Sequence, residues 1–159
     1  MSINLKLDSF IINLPDFNIT KPTLTSVLSD HASVWDVLGF IEPIRVASKS
    51  FINTLHKAKL DWKDNLNVDQ IETWKNIVRL FQLNADGFFP RMCTVNSKGT
   101  HTLHMFTDAS EIGYGGVAYV TSHSDNTSSH ILCAKSKLKG STVRSTIPKL
   151  ELSGILFGL

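Results

Sequence analysis

The spacing of apolar residues changes once along this chain, at NADGFFPR (84–91), and that change limits the possible folds more than any other feature. Before it, apolar residues recur every three or four positions. After it, to about residue 136, they alternate or are broken by turn formers. A pattern written for one period cannot serve the other, because helices repeat every 3.6 residues and strands every two. Helices followed by a meander of strands predict an α+β fold.

Three helices are expected before the change. In KPTLTSVLSDHASVWDVLGF, Thr23 is a candidate cap, Leu24, Val27, Leu28 and His31 share a stripe, and Gly39 marks an end or break. In EPIRVASKSFINTLHKAKLDW, Pro43 suits a first turn, and Ile44, Ala47, Ser48, Phe51, Leu55 and Ala58 form the apolar stripe. In NVDQIETWKNIVRLFQL, Asn67 and Gln70 resemble a capping box ahead of Ile71, Trp74, Ile77, Val78 and Phe81. Residues 1–20 contain Pro15 and read as an extended arm.

Beyond the change, MCTV, HTLHMFT, GYGGVAYV and HILCAKS are strand candidates, with SKG (97–99) and SHSDNTSS (122–129) as connecting turns. KLKGSTVRST is a basic loop, and Thr146-Ile147-Pro148 opens a last helix, Thr146 as cap and Pro148 in its first turn.

A net charge of +2 is too small to argue for a nucleic-acid partner, so only local clustering could. Cys93 and Cys133 are too far apart for a CxxC metal or redox motif, which fits a reduced, intracellular setting, cytoplasmic or nuclear. SFIINL (9–14) is too short for a secretory signal or a membrane helix, so neither secretion nor a membrane partner is expected.

Two carboxylates draw attention. Asp108 interrupts the LHMFT strand, and Glu151 lies in the first turns of the last helix, with Gly154 and Gly158 after it on one stripe. Small residues there would let helix and sheet approach closely, so that the two acids could share a hard cation such as Mg²⁺. Paired ions about 3.5–4 Å apart can activate water and stabilise a leaving oxygen in phosphodiester cleavage. Local roles compete with this: Asp forms turns, and Glu in a first turn is favoured by the helix dipole. Gly113, Gly115 and Gly116 read equally as a surface kept low beside Asp108 or as a bulge.

LHMFTDASEIGYGGVAYV resembles the opening of a retroelement ribonuclease H domain, whose first strand carries a catalytic Asp in an F-x-D-A-S context. TIPKLEL (146–152) is similar to the stretch in which that fold's helix carries a catalytic Glu, and AKSKL (134–138) matches a segment between them. Upstream, TLTSVLSDHASVWDVLGFIEPIRVASKSF, KLDWKDNL, Trp74 and FPRM follow the family's order. The chain thus resembles the Pol polyprotein of a BEL/Pao-type LTR retrotransposon over roughly residues 20–159. The resemblance implies an N-terminal helical region like a reverse-transcriptase thumb or connection (21–88), then a truncated ribonuclease H-like α/β unit (89–159) of a three-stranded antiparallel meander and first helix. It makes Asp108 and Glu151 catalytic, metal-binding carboxylates for Mg²⁺ or Mn²⁺. The implied reaction is two-metal hydrolysis of RNA in RNA–DNA hybrids.

The departures matter. No Y-x-D-D pair is present, so DNA synthesis by these residues is excluded, and Trp35-Asp36-Val37-Leu38-Gly39 lacks the proline expected after the Asp. Nothing maps onto a third or fourth carboxylate: Asp86, Glu111 and Asp125 do not fit. The expectation is therefore a Pol fragment inactive alone, with weak or absent metal. The alternatives are a non-catalytic module that grips nucleic acid or other Pol segments, and a translated relic. Lys135, Lys137, Lys139, Arg144 and Lys149 are the candidate contacts to a hybrid, weak and salt-dependent. A second basic group is Arg45, Lys49, Lys57 and Lys59. The six histidines show no metal spacing, and Trp35, Trp62 and Trp74 read as packing residues.

Overall fold

In a computed structural model, residues 1–85, 87, 89–92, 99–123, 128–140 and 146–158 are described. The order is β1 (Ser2–Asn4), β2 (Ser9–Ile11), α1 (Leu24–Ser33), α2 (Glu42–Lys57), α3 (Val68–Ala85), β3 (Phe89–Pro90), β4 (Thr100–Ala109), β5 (Gly113–His123), β6 (Ser128–Leu138) and α4 (Ile147–Gly158). The chain is α+β, with two three-stranded antiparallel sheets, β1-β2-β3 and β4-β5-β6.

The helices begin where side chains can satisfy their first amides. At α1 the Thr23 hydroxyl accepts from the Ser26 N–H (3.2 Å), and the Ser26 hydroxyl accepts from the Thr23 N–H (2.8 Å). Asn67 and Gln70 make the same reciprocal pair ahead of α3, at 2.9 Å each way. Pro43 sits in the first turn of α2. The core lies between these helices: Leu24 and Val27 of α1, Phe51, Ile52 and Leu55 of α2, and Trp74, Ile77, Val78 and Phe81 of α3 are buried. Phe51 stacks on Trp74 with ring centroids 6.0 Å apart. The stripe on α2 runs through Ile52 rather than Ala58, which is exposed at the helix C-cap.

Residues 1–20, expected as an extended arm, form a hairpin whose β2 pairs with β3. Ile12 enters the core, Phe17 stacks on Phe81 (5.7 Å), and Phe40 stacks on Phe89 (4.4 Å). Phe89–Pro90 thus joins the helical part rather than the large sheet. Two tryptophans differ from expectation: Trp35 is 63% and Trp62 59% exposed. Trp62 lies edge-on to His56, and its carbonyl accepts from Thr25, so its backbone does the packing. In the expected MCTV strand, Cys93 to Val95 lie outside the described residues, as do SKG at 97–98 and SHSDNTSS at 124–127.

One tight join connects the helices to the large sheet. The Asp36 carboxylate, on a residue only 5% exposed, accepts the N–H groups of Gly39 (2.9 Å), Phe40 (3.0 Å) and Ile41 (2.9 Å). It holds the connection before α2 in a shape that turns Leu38 toward β6. The Leu38 carbonyl there accepts the Ala134 N–H at 2.7 Å. Gly39 has φ +77°, and a Cβ on it would overlap the Ala134 carbonyl, so glycine is required on both counts. Just beyond, Glu42 accepts from Lys49 and from the Ser136 hydroxyl, and Lys49 Nζ also donates to Ser136 at 3.2 Å.

Candidate carboxylate and nucleic-acid site

Position in the pleat decides which side chains of the large sheet can meet. Across β4-β5-β6 the register sets Asp108 opposite Gly115 and Gly115 opposite Ser136. Thr107, Gly116 and Lys135 form the neighbouring row, and Ala109, Tyr114 and Lys137 the next one of the same parity. Directly opposed residues share a face and successive rows alternate, so Asp108, Gly115 and Ser136 lie on one face and Thr107, Tyr114, Lys135 and Lys137 on the other.

Helix α4 packs on the second of these faces. A Cβ built on Gly154 would lie 3.7 Å from Tyr114 Cβ and 3.8 Å from Thr107 Cβ, but it would meet Asp108 only at its carbonyl oxygen, 3.7 Å away. Phe157 crosses Tyr114 edge-on at 5.5 Å, and Leu150 is buried. The small residue at Gly154 does allow the close approach that the sequence implied. The strand atoms it approaches are those of Thr107 and Tyr114.

The two sequence-predicted acids are therefore placed as follows. Asp108 lies within β4, exposed, with its Cβ on the face away from α4, and Oδ1 accepts the Ala109 N–H at 2.9 Å. Glu151 is exposed one position past Leu150 on α4. The helix and the strand come together, while their carboxylates start from opposite sides of the sheet. Carboxylate oxygens are the right donors for Mg²⁺ or Mn²⁺. Among the described residues, however, no three His, Cys, Asp or Glu side chains group to hold an ion.

The basic candidates behave differently. Lys135 and Lys137 are exposed and share the α4 side of β6, and Lys149 is exposed in the first turn of α4 itself. Lys135 and Lys137 thus share a face, and Lys149 lies on the helix that packs on that side of the sheet. Lys139 is half-buried just beyond β6, its N–H donating to the Ile112 carbonyl at 2.8 Å. Arg144 lies outside the described residues.

Several features escaped sequence reasoning. Asp36 and Glu42 are buried acids, and Asp36 could have been found from its place two residues before the Leu38-Gly39 turn. His31 contacts the fully buried Ser48: the Ser48 hydroxyl donates to the Arg45 carbonyl (2.9 Å) and accepts from Nδ1 of His31 (2.6 Å). Burial, with Arg45 and Lys49 nearby, lowers the His31 pKa to about 4. No helix among the described residues is long and apolar enough to cross a membrane.

A family model described as the Pao retrotransposon-like RNaseH-like domain matches residues 23–159. No curated protein and no solved structure gives a significant match.

Proposed function

The chain belongs to the Pao retrotransposon-like RNaseH-like domain family, and from that premise we propose that it is a Pol segment of ribonuclease H lineage that contacts RNA–DNA hybrids without cleaving them by itself. The observation that carries this reading is the separation of the two acids from each other, with the cations gathered on one side of the sheet. Lys135, Lys137 and Lys149 are exposed on the α4 side of the sheet, while Asp108 and Glu151 start from opposite sides and gather no third carboxylate among the described residues. Cations on a sheet and a helix start can follow a phosphate backbone without reading bases. Asp108 and Glu151 remain the acids that the family likeness points to, each taking Mg²⁺ or Mn²⁺ singly and weakly.

The test is incubation of the purified chain with a labelled RNA–DNA hybrid in Mg²⁺ or Mn²⁺, following binding and cleavage together. Salt-dependent binding with intact RNA is expected. Cleavage that disappears in Asp108→Asn would overturn the non-cleaving reading.

A second reading has its own observation. Leu152, Ile155 and Leu156 of α4 and Leu103, on the same side of β4, are all more than half exposed, which favours contact with another part of Pol. Co-purification with flanking Pol segments, lost in Ile155→Asp, would support it. Retention in that variant would count against it.

A further inference from the structure

The face of the large sheet turned away from α4 holds a trough of about 410 Å³ with an unusual distribution of charge. Its floor runs across Gly113 and Gly115, Phe106 and Val117 rise from the strands, and Pro43 and Val46 of α2 close one side. The walls are fixed: Leu38 is hydrogen-bonded to Ala134, and Glu42 to Ser136, so α2 is fastened to the sheet beside the trough. A volume of this size is that of a single small-molecule site, typically about 300–1,000 Å³ and mainly apolar with a few placed polar groups.

Two carboxylates reach this trough, and only one has charge to spare. Glu42, with its side chain 8% exposed, is matched by Lys49 and lies 3.9 Å from Arg45 Nε, whose guanidinium also donates to the Asp36 carbonyl. Glu42, Asp36, Arg45 and Lys49 together sum to zero formal charge. Asp108, across Gly115 from Ser136, pairs with no Lys or Arg among the described residues. The pleat sends the Lys135 and Lys137 side chains to the other face. An apolar trough with one uncompensated carboxylate at its rim is complementary to a flat apolar body that carries one positive charge.

We propose that this trough is a binding site for a small aromatic cation, its ring over the glycine floor between Phe106 and Val46 and its ammonium or amidinium group at Asp108. It goes beyond the hybrid-binding surface, which lies on the opposite face. The probes are 2-naphthylmethylammonium and 2-naphthylacetate, bodies of equal size and opposite charge, titrated against the full chain in EDTA and followed by chemical shifts of the Gly113 and Gly115 amides. The cation should bind at least five-fold tighter than the anion. Asp108→Asn should abolish that preference while leaving the ring's own affinity, and Val46→Phe should weaken both probes as it fills the trough. Equal binding of the two probes, or an unchanged preference in Asp108→Asn, would overturn the proposal. So would shifts confined to the α4 face. Because metal is absent and no nucleic acid is added, failure here leaves the hybrid-binding reading untouched, and failure of hybrid binding leaves this one untouched.

Discussion

Replacing Asp36 by Ala tests how much of the molecule depends on one buried carboxylate. Three backbone N–H groups, from Gly39, Phe40 and Ile41, lose their acceptor at once. Hydrogen bonds to a charged group contribute about 1.5–3 kcal/mol each, so three define a ceiling of roughly 4.5–9 kcal/mol. Water entering the vacated volume recovers part of this, and single substitutions seldom exceed about 4–5 kcal/mol. A loss of about 3–4 kcal/mol is expected, which for a chain of this size lowers Tm by about 10 °C. Asp36→Asn retains one carbonyl oxygen for the Gly39 and Phe40 amides but sets an NH₂ against the Ile41 N–H, so about 1.5–2.5 kcal/mol should be lost. Urea titrations read by the fluorescence of buried Trp74 and by far-ultraviolet circular dichroism give both numbers. Hydrogen exchange supplies a local check. The Ala134 amide, held by the Leu38 carbonyl, should lose protection in Asp36→Ala before the amides of α3 do. A loss under 1 kcal/mol, or equal losses for Ala and Asn, would refute the assignment of these bonds as the anchor.

Other outcomes follow from single observations. His31 has a folded pKa of about 4 against an ordinary 6.5, so the unfolded chain binds more protons between these values. The contribution of His31 to stability is therefore full above about pH 6.5, falls as pH drops toward 4 and falls no further below that. The half-exposed ring reduces the loss to about 1–2 kcal/mol by solvent screening, and denaturant midpoints for His31→Gln should show a flatter profile over that window. Gly154→Ala should be neutral or stabilising by up to about 1 kcal/mol, since its Cβ meets only ordinary contacts at 3.7–3.8 Å, whereas Gly39→Ala should be severely destabilising; thermal melts separate the two. Replacing Lys135, Lys137 and Lys149 together by Ala should flatten the log–log salt dependence of hybrid affinity by about 2–3 units, measured by filter binding. An unchanged slope would remove those lysines from the interface.

Helices α1 to α3 were legible because caps and apolar stripes are local: Thr23, Asn67 and Pro43 mark starts, and Trp74 to Phe81 mark a buried face. The meander was legible for the same reason, since alternation along HTLHMFT and the glycines after it are short-range signals. What the sequence left hidden depends on partners far along the chain. The pairing of β2 with β3 joins residues near each end of the helical part, and no local pattern announces it. Trp35 and Trp62 read as packing residues because large aromatics usually are, yet exposure is set by what packs against them. The placement of Asp108 relative to Glu151 was the hardest to read. Spacing brings helix and strand together, but a shift of one residue in the pleat reverses which face a side chain takes, and only the Thr107–Tyr114–Gly154 contact resolves it.

The Leu38–Ala134 join has a consequence for self-association. A ribbon of strands can polymerise without limit only if both of its margins accept newcomers. Here the segment before α2 occupies the β6 margin at Ala134, and among the described residues the β4 margin has no neighbouring strand. At that point the segment acts as a terminating group in the sense of polymer chemistry, so a newcoming strand meets less competition along the β4 margin.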